Sequence, residues 1–405
     1  MSQGLSCCIT NASDHLQAKA YAPATSYSLI PVTVAHGRDG HFGRSVRVSG
    51  YMLYVGTYTI RGSKGIYAFR FDSASGDLSP LGLQAETENP SFLTVDSKRA
   101  LLYAVNEIND YRGGQSGSVR AYKVDGKKGR LHLLNEVSSM GGGPCHVCLD
   151  KTGRYAFVAN FQSGSIAGFP VLEDGRLGRA SVFVQDHGSS ADLVRHREPH
   201  AHSVATSPDN RFLVLADLGL DRLFVYPFNS SSGQVTEAGV QVVRTRAGAG
   251  PRHFSFHPNG RQLYVVNETD STVTVFAYEQ ASGTVHELQT VSTLPDGTSG
   301  PNDAAEMRLD SNARFLYVSN RGHDTISVFL VYKRGTLNMV ADFQTGGRSP
   351  RTFTIDPTGR YLLVANERSD NVVVFKIDPE TSALNPVGQP VDLPSPVCLA
   401  FFRPS

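Results

Sequence analysis

One unit recurs along the chain, and that recurrence constrains the fold more than any other feature. The stretch "GPRHFSFHPNGRQLYVVNETDSTVTVFAY", Gly250 to Tyr278, has near copies in "SPRTFTIDPTGRYLLVANERSDNVVVFKID" from Ser349 and "GPCHVCLDKTGRYAFVANF" from Gly143. Weaker copies begin near Asn89, Glu198 and Gly300. A second apolar run closes in these copies at Asn106, Asn160, Asp217, Asn267, Asn320 and Asn366, and Gly56 of "YMLYVGTYT" takes the equivalent place in a seventh. Each unit reads as strand, tight turn, strand, polar loop, strand, glycine-containing turn and a weaker fourth strand. Four antiparallel strands at a period of about fifty residues predict an all-β, seven-bladed propeller.

The ends of the repeat region support ring closure. "SPVCLAFF" from Ser395 is a first strand with no second strand after it, and "YMLYVGTYT" is a second strand with no first. Sharing one blade, they leave no open sheet edge. A solenoid would need distinct caps at its two ends instead. A WD40 reading fails because the chain has no tryptophan, and the Gly-Gly and aromatic pattern of kelch repeats is missing. Residues 1–50 carry neither repeat nor apolar periodicity, and lack the basic start and apolar core of a secretion signal. They are expected to be a disordered extension, with the propeller over 51–405.

Composition narrows the partners. A net charge of +1 gives no electrostatic case for nucleic acid or anionic membrane. No apolar run approaches the roughly 18 residues of a spanning helix. Five cysteines, an odd number, argue against a disulfide framework and for a reducing compartment, so a cytoplasmic monomer is expected. Cys145-His-Val-Cys148 superficially matches a redox or zinc motif, but positions i and i+3 of a strand face opposite sides and no second pair completes a zinc site. Packed thiols, no metal and no cofactor are the expectation.

In each blade the first strand runs away from one rim and the second returns to it, so first-strand starts and second-strand ends share one end of the channel. The turn-aligned copies differ at two successive positions there: Ser91 and Phe92, Cys145 and His146, His202 and Ser203, Arg252 and His253, Ala305 and Glu306, Arg351 and Thr352. The variable rim thus collects His146, His202, Arg252, His253, Glu306 and Arg351, with Glu268, Arg321 and Glu367 from second-strand ends. Histidines, arginines and carboxylates around one opening suit an anionic ligand, since arginine forks bind carboxylate or phosphate bidentately; a peptide-docking face is the competing reading. The recurrent closing asparagine is expected to bond blades or turns rather than ligand. His253, beside Arg252 on an extended strand, is expected on the opposite face, pointing between blades.

The segments "YVGTYT", "EPHAHSV", "DLGLDRLFVY", "GPRHFSFHPNGRQLYVVNE", "LYVSNRGHDTISVF" and "SPRTFTIDPTGRYLLVANERSDNVVVFKID" resemble, in order and over residues 51–403, the lactonase-family propellers. That family includes propeller-type 6-phosphogluconolactonases and carboxy-cis,cis-muconate lactonising enzymes. The resemblance implies a rim centre of one histidine, two arginines and a glutamate. These map to the "PHAHS" histidines (His202 first, His200 second), Arg252 of "GPRH", Glu268 of "VVNE" and Arg321 of "SNRG". His146, His200, Glu306 and Arg351 are the expected substrate contacts. The stretch "QDHGSSADLVRHR" before "EPHAHS" departs from the family pattern, which leaves Arg195 and Arg197 outside the carried-over set. The implied reaction is metal-independent hydrolysis of 6-phosphoglucono-δ-lactone, with His202 or Glu268 activating water. The alternatives are muconate lactonisation and a non-catalytic binding propeller.

Overall fold

The computed structural model describes residues 50–126, 128–190 and 198–404. The expected extension therefore lies outside the described residues except for Gly50, which opens a strand, and so do Arg195 and Arg197. The propeller falls within the unit Val48–Ser405.

Seven antiparallel sheets form the blades. Their inner strands are Pro396–Phe402, Phe92–Asp96, Pro144–Leu149, Ala201–Thr206, Pro251–Phe256, Asp303–Leu309 and Pro350–Ile355, taken as blades 1 to 7. The second strands, in the same order, are Gly50–Thr57, Leu101–Asn106, Tyr155–Asn160, Phe212–Asp217, Gln262–Asn267, Phe315–Arg321 and Tyr361–Asn366. Blade 1 joins the two ends as expected, with Met52 opposite Phe402 and Val55 opposite Leu399. Blade 4 adds a two-residue strand, Gln234–Val235, beside its third strand.

Blade stacking explains the apolar runs. Second strands such as Leu101–Asn106 and Tyr361–Asn366 are buried along their whole length. A neighbouring blade covers each face, so they read as continuous hydrophobic runs rather than alternating ones. Outer strands such as Leu384–Asp392 are mostly exposed. The core accordingly divides into seven clusters, one at each seam; Tyr264, Val266, Leu316 and Phe329, for example, fill the seam between blades 5 and 6. Tyrosines in second strands stitch these seams: Tyr54, Tyr103 and Tyr264 donate across them to the carbonyls of Gly129, Gly175 and Gly335 at 2.9, 2.9 and 3.0 Å.

The closing asparagines bond blades, as their recurrence suggested. Asn160, Asn320 and Asn366 donate through Nδ2 to the carbonyls of Ser139, Thr293 and Thr345, which follow the outer strand of the preceding blade. The counterpart in blade 1 is Thr57 rather than Gly56, because a bulge shifts the register between them. Thr57 Oγ1 bonds Ser63 and the Gly65 carbonyl.

A bulge at the rim also corrects the face assigned to His253. The register slips between Pro144 and His146, Ala201 and Ser203, Pro251 and His253, Ala304 and Met307, and Pro350 and Thr352. A bulge sets two residues against one on the partner strand, so neighbours on the bulged strand no longer alternate. Arg252 and His253 consequently both turn into the channel, with Nη1 and Nε2 3.4 Å apart.

Candidate active site

The bulges build the site in layers. The outer layer holds the residue after each closing position: Tyr58, Glu107, Phe161, Leu218, Glu268, Arg321 and Glu367. Beneath it lie the bulged residues, including His202, Arg252, Ala305 and Arg351, and one step deeper lie Phe92, His146, His253, Glu306 and Thr352.

Glu268 joins the outer two layers. Its Oε2 lies 2.7 Å from Arg252 Nε and 2.9 Å from Arg321 Nη2. Arg252 is 2% exposed while Glu268 keeps 23%, so one partly open carboxylate faces two guanidinia at the channel mouth. Arg252 also donates to the Ala305 carbonyl at 2.7 Å. Burial, and then repulsion from Arg321, lowers Arg252 to about 10. Burial would raise the Glu268 carboxyl, but Arg321, Arg252 and Arg351 outweigh it and hold the group below the usual range. Glu268 is therefore a fixed anion and a weak base.

His202 offers the site a neutral nitrogen instead. Its ring lies 5.2 Å from that of His253 and 5.7 Å from Phe161. Nδ1 is buried without a hydrogen-bond partner. Burial, with Arg252, His253 and Arg351 adding repulsion, drives its pKa well below the ordinary value, so the imidazole is neutral. A buried neutral histidine with an unspent nitrogen is equipped to take a proton.

The remaining expected residues separate by depth. His200 is tied to the outer layer: its ring stacks on Phe161 at 4.5 Å and 11°, with Nδ1 3.0 Å from the Phe161 carbonyl. Between the two "PHAHS" histidines, geometry favours His202. Arg351 belongs to the same layer as His202, its guanidinium 5.2 Å from the Tyr58 ring centre. His146 and Glu306 are not on the rim, where they were expected. The slip between Ala304 and Met307 carries Glu306 inward, where it meets His253 Nδ1 at 3.3 Å, Thr352 Oγ1 at 3.3 Å and the Met307 amide at 3.0 Å. Burial opposes its charge, yet Arg308 and His253 more than offset this and keep it ionised. His146 packs on Phe92, ring centres 4.2 Å apart. Both residues also border a cavity of about 360 Å³ farther along the channel.

Two rim residues escaped the sequence reading. Tyr58 donates to Glu107 Oε2 at 3.1 Å, and the pair stands beside Arg351. Glu107 follows Asn106 as Glu268 follows Asn267, so the alignment column that found Glu268 contained it. Tyr58 was hidden by aligning Gly56, not Thr57, with the asparagines. The Cys145–Cys148 pair behaves as packed thiols: both are free, Cys145 buried and Cys148 half-buried. Among the described residues no three His, Cys, Asp or Glu side chains converge as a metal ligand set.

Comparison with known proteins bears out the resemblance. The family model for "Lactonase, 7-bladed beta-propeller" matches residues 52–401. A 6-phosphogluconolactonase of Bacillus subtilis is 37% identical, over 87% of this chain and 99% of its own length. The crystal structure of a 6-phosphogluconolactonase candidate from Bacteroides fragilis superposes with a TM-score of 0.81 at 34% identity, covering 89% of this chain and all of that one. A periplasmic gluconolactonase of Pseudomonas aeruginosa gives 0.82 at 36%, covering 88% and 100%. With a rim of paired arginines, glutamate and neutral histidine on seven closed blades, the chain belongs to the lactonase family of seven-bladed β-propellers.

Proposed function

We propose that this lactone hydrolase opens 6-phosphoglucono-δ-lactone to 6-phosphogluconate, a step of the pentose phosphate pathway, in the cytoplasm and without a metal. The observation that carries the reading is Glu268 spanning Arg252 and Arg321 above an unpartnered, neutral His202. His202 accepts a proton from water as the water oxygen attacks C1. The carbonyl oxygen takes up negative charge, which Arg252 and Arg321 stabilise because Glu268 already aims them at the mouth. The C1–ring-oxygen bond then breaks, and the proton held by His202 passes to the departing oxygen, leaving a hydroxyl and a carboxylic acid that gives its remaining proton to solvent to become the carboxylate. A positioned base of this kind supplies roughly 10²–10⁴-fold. Substrate specificity is open to a direct test because the Bacillus relative bears the name of the phosphorylated substrate and the Pseudomonas relative that of the plain one. Purified protein is assayed on freshly generated 6-phosphogluconolactone, corrected for spontaneous hydrolysis. Turnover above the blank that disappears in His202→Ala supports the reading; a rate equal to the blank overturns it.

A further inference from the structure

Beside the reactive rim, between blades 6 and 7, lies a cavity of about 390 Å³ that the mechanism leaves unused. Four arginines line it: Arg321 and Arg351, shared with the rim, and Arg348 and Arg368. Arg348 precedes the inner strand Pro350–Ile355, and Arg368 sits in the helical turn Glu367–Ser369 after the second strand. The two segments are tied together, the Arg368 amide donating to the Arg348 carbonyl at 3.1 Å and the Arg348 amide to Ser369 Oγ at 2.8 Å. Both side chains are exposed, and neither guanidinium forms an ion pair among the described residues.

Three carboxylates share the cavity: Asp303, Asp324 and Glu367. Two already have donors. Asp324 Oδ1 accepts the amides of Ser349 and Gly322 at 2.7 and 3.2 Å, and Glu367 Oε2 accepts Ser349 Oγ at 3.4 Å. Arg321 is already paired with Glu268, so what the cavity offers an anion is the two guanidinium forks of Arg348 and Arg368. An uncharged lactone offers such a pocket only neutral hydroxyl and carbonyl hydrogen bonds, which are weaker than charge-assisted ones. A phosphate dianion on the far end of the same molecule matches it, because guanidinium forks bind phosphate bidentately.

We infer that Arg348 and Arg368, with Arg351 behind them, form the subsite for the phosphate of a phosphorylated sugar lactone and so set the preference for that substrate class over its unphosphorylated counterpart. The inference rests on the lactone-hydrolase reading above. Arg348 and Arg368 touch no reacting atom; they act through binding alone, and charge-assisted hydrogen bonds of this kind are each worth about tenfold or more.

The test compares kcat/KM for 6-phosphogluconolactone and glucono-δ-lactone in the wild type and in the Arg348→Gln/Arg368→Gln double variant. The expected result is a fall of about 10–100-fold in the ratio of the two values, carried by KM for the phosphorylated lactone, with weaker inhibition by inorganic phosphate. An equal fall for both substrates would indicate a structural role and overturn the inference. A wild type that prefers the phosphorylated lactone, with a ratio unchanged in the variant, overturns the subsite alone. A wild type that turns over only the plain lactone overturns the substrate reading, and the subsite with it.

Discussion

Replacing Glu268 by Gln keeps the shape of the residue that organises the rim and removes its charge. The carboxylate lies 2.7 Å from Arg252 and 2.9 Å from Arg321, and Arg252 is 2% exposed. Removing one partner of a fully buried ion pair costs about 3–5 kcal/mol. Glu268 is 23% exposed and glutamine keeps one acceptor oxygen, so solvent screening reduces the expectation to about 2 kcal/mol. That corresponds to a Tm lower by roughly 3 °C, because a propeller of this size unfolds with an entropy of about 0.7 kcal/mol/K. The pH dependence provides a second signature. The folded carboxyl sits below its ordinary value, so between the folded and unfolded pKa the native state binds fewer protons, and stability rises with pH across that window. The wild type should therefore lose stability as pH falls through the range below about 4.3, and Glu268→Gln should lose less. In catalysis the two guanidinia are no longer held toward the mouth, which predicts a kcat lower by about 10²–10³-fold with a smaller change in KM. Thermal melts from pH 3 to 8 and initial rates on fresh lactone measure all three. A variant with wild-type Tm and kcat would refute the argument that this carboxylate orders the rim.

His253→Asn should lower kcat at least tenfold, since it removes the imidazole that bridges Glu306 to Arg252 at 3.3 and 3.4 Å; unchanged turnover would return His253 to a purely packing role. Asp217 replaces the closing asparagine in blade 4, and burial with repulsion from Asp217 raises its neighbour Asp186 to about 9. A folded pKa above the ordinary 3.8 means the native state binds the extra proton, so this pair makes stability fall as pH rises from about 4 to 9; Asp217→Asn should flatten that fall and raise Tm at pH 8, as differential scanning calorimetry can check. Exhaustive EDTA treatment should leave lactone turnover unchanged, and activity recovered only with added calcium or zinc would contradict the acid–base scheme. A chain begun at Val48 should keep wild-type kcat and Tm, whereas one ending before Pro396 should lose cooperative melting altogether, because the inner strand of blade 1 goes with it.

The blades were legible because their signals are local: an Asp-x-x-Gly turn such as Asp150–Gly153, flanked by apolar runs, repeats at a steady interval. The rim was legible where function interrupts that repetition, which is how Arg252 and Glu268 stood out against Cys145 and Phe161 in equivalent places. Depth was not legible. Strand alternation placed His253 between blades, and a one-residue slip at Pro251 reversed it; bulges are set by register with a partner strand and leave little trace in the bulged segment itself. A slip of the same size in blade 6, between Ala304 and Met307, took Glu306 from the rim to the channel wall. The proposed phosphate subsite was hidden for another reason: Arg348 and Arg368 lie outside the positions compared at the rim, and they meet where the first two strands of blade 7 pair at their ends.

The strand that closes blade 1 has a further consequence for when the enzyme becomes active in its own biosynthesis. Pro396–Phe402 is the last of the propeller's strands to leave the ribosome, and its partner Gly50–Thr57 is the first. Until they meet, blades 1, 2 and 7 each present an unsatisfied surface, and Arg351 lacks the wall that fixes it beside Tyr58. Local hairpins can form during translation, but this longest-range pairing pays its loop-closure entropy only at the end. A chain in which these two strands have not paired is thus not a weaker enzyme but one without a complete rim.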